Sequence, residues 1–247
     1  MKRALGSVFL FTLLGVAGCL SSSSSSSNPN PVTPDGGTSG NDGGGGGGDG
    51  SVAQGQPDFD AMVRGGDCPA VTGAGVDHLG DVTSDQVWKA ADGVHRIASN
   101  VRILATVTIE ACARVELAET GSIAVGSSPT VGKLVTQGSF DGGKLLPVSI
   151  VAKDPAKRWG AIVVDSTGSL DFSYTVVSGG DSPTSQQNGG GQIRVFGKSG
   201  TSSGGTPVVS KSFRSRWALV EGAQSYGISL LNYAGFTDDS TGVAVRG

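Results

Sequence analysis

From Val101 onward the apolar residues of this chain come in pairs, separated by one small or polar residue. Val101-Arg102-Ile103, Val107-Thr108-Ile109, Val115-Glu116-Leu117 and Ile123-Ala124-Val125 each put two apolar side chains on one side of an extended backbone. That is the period of a half-buried strand. The pattern returns at Val148-Ser149-Ile150, Leu170-Asp171-Phe172, Ile193-Arg194-Val195, Ile228-Ser229-Leu230 and Val243-Ala244-Val245. No stretch after residue 100 keeps a helical period. The fold class is therefore all-β, built from short strands and many turns.

Short strands with frequent turns suit a sandwich, a barrel or a solenoid, and internal repetition separates them. Thr120-Gly121-Ser122-Ile123-Ala124-Val125 returns as Thr167-Gly168-Ser169-Leu170-Asp171-Phe172, and Asp165-Ser166-Thr167-Gly168 as Asp239-Ser240-Thr241-Gly242. Read as two and three turns, these offsets predict roughly 24 residues per turn, room for three strands and three corners. The inward Val, Ile, Leu and Phe would form one continuous core. Many of the 42 glycines would serve corners where φ is positive. A parallel β-helix over 101–247 is the expectation, with a β-sandwich as its rival.

The first hundred residues have a different character. Lys2 and Arg3 precede an apolar run from Ala4 to Ala17, broken only by Ser7 and Thr12. At about 21 Å as a helix this run is too short for a bilayer core of about 30 Å, so it reads as a cleaved export signal. Val16-Ala17-Gly18-Cys19 resembles the bacterial lipobox, which implies diacylglyceryl attachment at Cys19 and a membrane anchor. Leu20 follows where an aspartate would favour inner-membrane retention, so the resemblance implies the outer membrane. Residues 20–56 hold Ser21 to Ser27 and Gly43 to Gly48 as unbroken runs. With almost nothing to bury, they read as a disordered tether of roughly 35 Å mean span.

Residues 57–100 read as an N-terminal cap region. Thr83-Ser84-Asp85-Gln86 has the form of a capping box, followed by Val87, Trp88 and Ala91 as an apolar stripe, which predicts a short capping helix over 83–92. With Cys19 acylated, Cys68 and Cys112 remain, and an oxidising compartment lets them pair as a disulfide. No cap follows Val243-Ala244-Val245-Arg246-Gly247; either further turns follow in a longer chain or a partner covers the last one.

The folded part resembles the right-handed parallel β-helix lipoproteins of Gram-negative bacteria, whose architecture is pectate-lyase-like. Thr106-Val107-Thr108-Ile109-Glu110-Ala111-Cys112-Ala113-Arg114-Val115 is similar to the early "LTIEPG-x-x-V" coil of that group, with Ala-Cys where Pro-Gly is usual. Trp159-Gly160-Ala161-Ile162-Val163-Val164 is similar to its "W-G-G-I-x-F" strand. The stretch from Leu170 to Gly180 is similar to the "L-x-Y-x-x-I-x-x-G-G" coil that follows. The likeness spans roughly residues 65 to 247. These motifs are structural, so they bear on fold more than on activity.

Chemistry is sparse. Net charge is −3 with Lys and Arg scattered, which excludes a nucleic-acid partner. A lyase needs acidic groups with a Lys or Arg base, and a hydrolase needs two carboxylates at a set separation. Asp141, Asp154, Asp165, Asp171 and Asp181 are available, with Lys153, Lys157 and Arg158, but none forms the paired-aspartate signature of such enzymes. His78 and His95 lack a clustered third ligand, so no metal or other cofactor is expected. Gly200-Thr201-Ser202-Ser203-Gly204 matches a nucleophile elbow by letters only, inside a Ser/Gly loop. Trp159, Trp217, Tyr174, Tyr226, Tyr233 and the phenylalanines Phe172, Phe213 and Phe236 read as core fillers, with Tyr226 alone placed to face outward.

The expectation is an outer-membrane-anchored lipoprotein, on the periplasmic face or cell surface, with a non-catalytic β-helix. It would act as a binding or structural platform for a polysaccharide or an envelope protein. An anchored polysaccharide lyase or glycoside hydrolase is the rival.

Overall fold

The structure is a computed structural model that describes residues 56–181, 190–198 and 209–247. The order of strands is the main finding. After β1 (Val76–His78) and a bridge at Val82 comes β2 (Gln86–Trp88). Then follow β3 (His95–Ile97), β4 (Asn100–Ile103), β5 (Thr106–Glu110), β6 (Arg114–Leu117), β7 (Ser122–Val125) and β8 (Gly132–Gln137). A hairpin of β9 (Ser139–Asp141) and β10 (Lys144–Leu146) interrupts the series and is antiparallel. The chain continues through β11 (Val148–Ala152), β12 (Ile162–Val164), β13 (Gly168–Ser178), β14 (Ile193–Phe196) and β15 (Ser210–Glu221). It closes with β16 (Ile228–Leu231), β17 (Ala234–Phe236) and β18 (Gly242–Arg246).

Outside the hairpin, these strands pair in parallel in three ladders. The first runs β1, β3, β6, β11, the end of β13, the end of β15, β18. The second runs β4, β7, β12, β14, β16, with Val82 bridged to Ile103 beneath it. The third runs β2, β5, β8, the start of β13, the start of β15, β17. The chain visits them in an unchanging order: first, second, third. Because β13 and β15 each serve two ladders, the first and third merge into one curled eleven-stranded sheet.

Register explains why the triplets are spaced as they are. A one-residue slip would turn every apolar side chain outward, so like sits on like. Val101, Ile123, Ile162, Ile193 and Ile228 stack in the second ladder. Val107, Leu134, Leu170, Phe213 and Phe236 stack in the third. Val115, Ile150, Val177, Val220 and Val245 stack in the first. All but the last member of each column are buried. Each buried side chain contributes about 1.5–3 kcal/mol.

Three of the corners from third to first ladder take a non-glycine residue with positive φ: Cys112 (64°), Tyr174 (42°) and Trp217 (64°). Glycine tolerates this geometry best, which gives a physical reason for Pro-Gly in the resembling coil. Here Cys112 fills the place and is tied down. It forms the disulfide with Cys68, Cα atoms 5.3 Å apart. That bond holds an N-terminal strap against the outer side of the first ladder. The strap's helix α1 (Phe59–Val63) is capped by Asp58, whose Oδ1 accepts from the backbone N–H of Asp60 and Ala61. Met62 packs on Leu145 and Val176, so the outward-pointing Val176 is also buried.

Two expectations need correction. The capping box at 83–86 starts no helix: Gln86–Trp88 is strand β2, and only Ala90–Asp92 makes a 3-10 turn. The Asp85 carboxylate accepts from the Thr106 N–H (2.8 Å), holding the next strand rather than a helix terminus. Tertiary pairing overrides a local signal here. The repeat matches also fail as turn equivalents. Gly121 precedes a second-ladder strand, Gly168 starts a third-ladder strand, and Gly242 starts a first-ladder strand. The true partner of Gly168 is Gly132, and that of Ile123 is Ile162. Register constrains the inward residues only. Corners absorb insertions such as the β9–β10 hairpin at small cost, so no constant period exists.

Candidate functional site

The carboxylates that might have made an enzyme lie apart, most in structural roles. Asp141 sits in the exposed hairpin opposite Lys144. Asp154 accepts from the Ala156 N–H in its own loop (3.0 Å). Asp165 accepts from the N–H of Ser166 (2.7 Å) and Ser128 (3.1 Å), closing a corner. Asp171 points outward from the third ladder between Lys133 (4.0 Å) and Arg214 (3.5 Å).

Asp181 is wholly buried. It accepts from the N–H of Gly191 (3.0 Å) and from the N–H and hydroxyl of Ser225 (2.7 and 2.5 Å), with Arg194 at 3.8 Å. Burial pushes its carboxyl up, but the Ser225 and Gly191 hydrogen bonds and the Arg194 charge outweigh this and hold it below the usual range. A carboxylate so fully satisfied is a brace.

The histidines meet at the start of the first ladder. His78 Nε2 and His95 Nδ1 lie at hydrogen-bond distance, 3.0 Å, and His95 Nε2 lies 3.0 Å from the Lys89 carbonyl. His78 stacks on Trp88 with ring centroids 4.0 Å apart. Burial first, then the neighbouring His95, lower the His78 pKa to about 4, against a smaller opposite pull from Asp77. Among the described residues no group of three or more His, Cys, Asp or Glu is placed to hold a metal ion.

Trp159 is wholly buried and donates its Nε1–H to the Ser178 carbonyl (2.8 Å). Phe172 and Phe213 are core, as read from sequence, and Trp217 lies half-buried on Phe59. Tyr226 and Tyr233 are exposed, at 60% and 52%. The latter departs from the expected core role. Cys19 and the Gly200–Gly204 motif lie outside the described residues.

What the structure does bring together is a groove of about 590 Å³ at the corner between first and second ladders. Four cations line it: Arg114 from β6, Lys157 and Arg158 from the loop after β11, and Arg246 from β18. Among the described residues, Glu221 is the one carboxylate side chain in the lining. Arg246 pairs with Glu221 (2.9 Å) and with Asp60 of the strap (2.6 Å), Arg114 with Glu116 (2.8 Å), and Lys157 with Glu119 (3.1 Å). Hydrogen bonds from Asp60 and Glu221 push the Arg246 pKa up.

Arg158 differs from these three. Its Nη1 donates to the carbonyls of Gly180 (3.2 Å) and Gly222, with no carboxylate partner among the described residues. Sequence reasoning named Lys157 and Arg158 but missed Arg114, Glu221 and Arg246. Their one signal was position: Arg114 and Arg246 flank apolar pairs, facing outward.

The chain matches no protein-family model, no curated protein and no solved structure.

Proposed function

We propose that this chain is an outer-membrane-anchored lipoprotein whose folded part is a right-handed parallel β-helix acting as a non-catalytic binding platform for polysaccharide. The three ladders, visited in constant order, support a closed helix, and parallel strand crossovers are right-handed in about 98% of cases. The Val16–Cys19 motif and the Ser/Gly tether support the anchor.

One observation carries the non-catalytic reading. The five candidate aspartates are dispersed over a hairpin, a loop, a corner, an outer wall and a buried brace. No two converge in the groove, as a hydrolase or a calcium-assisted lyase would require.

The test is to incubate the full chain with polyuronates and follow ultraviolet absorbance while measuring retention of protein on the same polymers. Retention without new absorbance is expected. Growing absorbance would make the protein an anchored lyase, and reducing ends without absorbance an anchored glycoside hydrolase.

A further inference from the structure

Resting on that reading, we propose that the corner groove is a site for an anionic glycan, a sugar chain bearing carboxylate, sulfate or phosphate groups. Arg158 would be its fixed contact, with Lys157, Arg114 and Arg246 as exchangeable ones. Four cations line the groove; three of them are matched by the carboxylates of Glu221, Asp60, Glu116 and Glu119, and Arg158 alone lacks one among the described residues. An arginine with no carboxylate partner among the described residues is the group an incoming anion can pair with.

Arg158 is organised for this before any ligand arrives. Gly179 and Gly222 turn the corner with φ of 74° and 65°. The carbonyls of Gly180 and Gly222 take the Arg158 Nη1, leaving Nε and Nη2 with no partner among the described residues. Such a held, planar fork matches two oxygens of one carboxylate, sulfate or phosphate. Its fixed pose lowers the entropy lost on binding.

The other three cations have carboxylate partners, and the Lys157–Glu119 pair is the most exposed of these. Lys157 and Glu119 are both more than half exposed, at 57% and 59%. Exposed pairs hold weakly, so a ligand anion can take the place of the glutamate.

The shape points to a sugar rather than a protein segment. The apolar residues in the lining, Val151, Ala152, Pro155 and Ala156, are all small. Small apolar side chains leave room for the C–H face of a pyranose and lack the large anchors that dominate protein interfaces. From Arg114 to Arg246 the first ladder takes four strand steps, β6 to β11, β13, β15 and β18. At about 4.8 Å each this spans roughly 19 Å, the length of about four sugar units. A neutral glycan would want an exposed ring for stacking, and none among the described residues lines the groove.

The experiment is calorimetric titration of the full chain with oligogalacturonate, a sulfated glycan, a phosphorylated glycan, a neutral dextran and polyglutamate. Binding to at least one anionic glycan, none to dextran, and loss of most affinity at high salt are expected. The anionic arms identify the charged group. Lys157→Glu, on an exposed side chain, and Arg158→Gln should each weaken binding about tenfold. Lys133→Glu, on the third ladder, should leave it unchanged. Unaltered melting of Lys157→Glu keeps the test valid if Arg158→Gln misfolds.

Wild-type binding that survives both groove changes, or that Lys133→Glu weakens equally, would overturn the groove while leaving the platform standing. Tighter binding to polyglutamate than to any glycan would overturn the ligand class. Absence of binding to every glycan would overturn the platform reading itself.

Discussion

The two ends of the ladders are built from the same kind of strand, yet they bury their inward residues very differently. At the start, Trp88 is 2% exposed although it lies in the first strand of its ladder, and His95, in the second strand of its own, is 1% exposed. Three nearly parallel rings, His78 on Trp88 and both beside His95, cover the column there. At the far end, Val245 and Leu230 are 55% and 38% exposed, in the same inward columns as buried Val220 and Val195. The lesson is that strand pattern aims a side chain inward, but burial requires a further layer above it. Flat aromatic rings with polar edges serve as that layer because their nitrogens find partners at the rim.

The sharpest way to break this comparison is Trp88→Ala. Removing a buried indole should cost about 3–5 kcal/mol, read from urea unfolding. A loss no larger than that of an exposed residue would mean the ring stack seals nothing. The Cys68–Cys112 staple, also near the sealed end, comes next. Its sequence separation is 44, and replacing both cysteines by serine should cost about 2–4 kcal/mol. Equal stability of the double variant and of the wild type, both without reductant, would dismiss the staple.

A third test uses pH. His78 has its folded pKa lowered to about 4, whereas the unfolded chain protonates near 6.5. The unfolded state therefore binds the extra proton, so stability is full above about pH 6.5 and falls as pH drops toward 4. Discounted for partial exposure of the ring, the loss should be about 1–2 kcal/mol. His78→Phe, which keeps the stack, should flatten the melting temperature between pH 7 and 4.5. An unchanged pH profile in that variant would assign the effect elsewhere. The smallest effect belongs to the open end: Val245→Ala should shift unfolding by under about 1 kcal/mol. A cost like that of Trp88→Ala would show the two ends to be equally covered.

Much of the architecture could be read in advance, and the failures are instructive. The triplets at 101–125 all became strands, because alternation is a property of the strand itself and needs no distant partner. The helix foreseen at 83–92 did not form, because Asp85 found the Thr106 N–H, 21 residues away. Asp181 looked like any corner aspartate, yet Ser225 and Arg194 make it a buried brace. Its partners are unreadable from its neighbours in sequence.

Two of the groove's cations, Lys157 and Arg158, were named from the sequence with Lys153 as candidate bases, but in a stretch that reads as a solvated loop. The other two were not. Arg114 and Arg246 are 132 positions apart and converge because the first ladder stacks β6 and β18 on one wall.

By itself, the sequence determined that the described part is built from short strands with one apolar side and glycine-rich corners, and that cysteines were present to pair. These are local matters, set by side-chain period and backbone freedom. Tertiary structure alone decided which strand lies on which, how long each circuit is, and which cations share a groove. Register between distant strands comes from packing the whole apolar column at once, and no window of neighbouring residues contains that information.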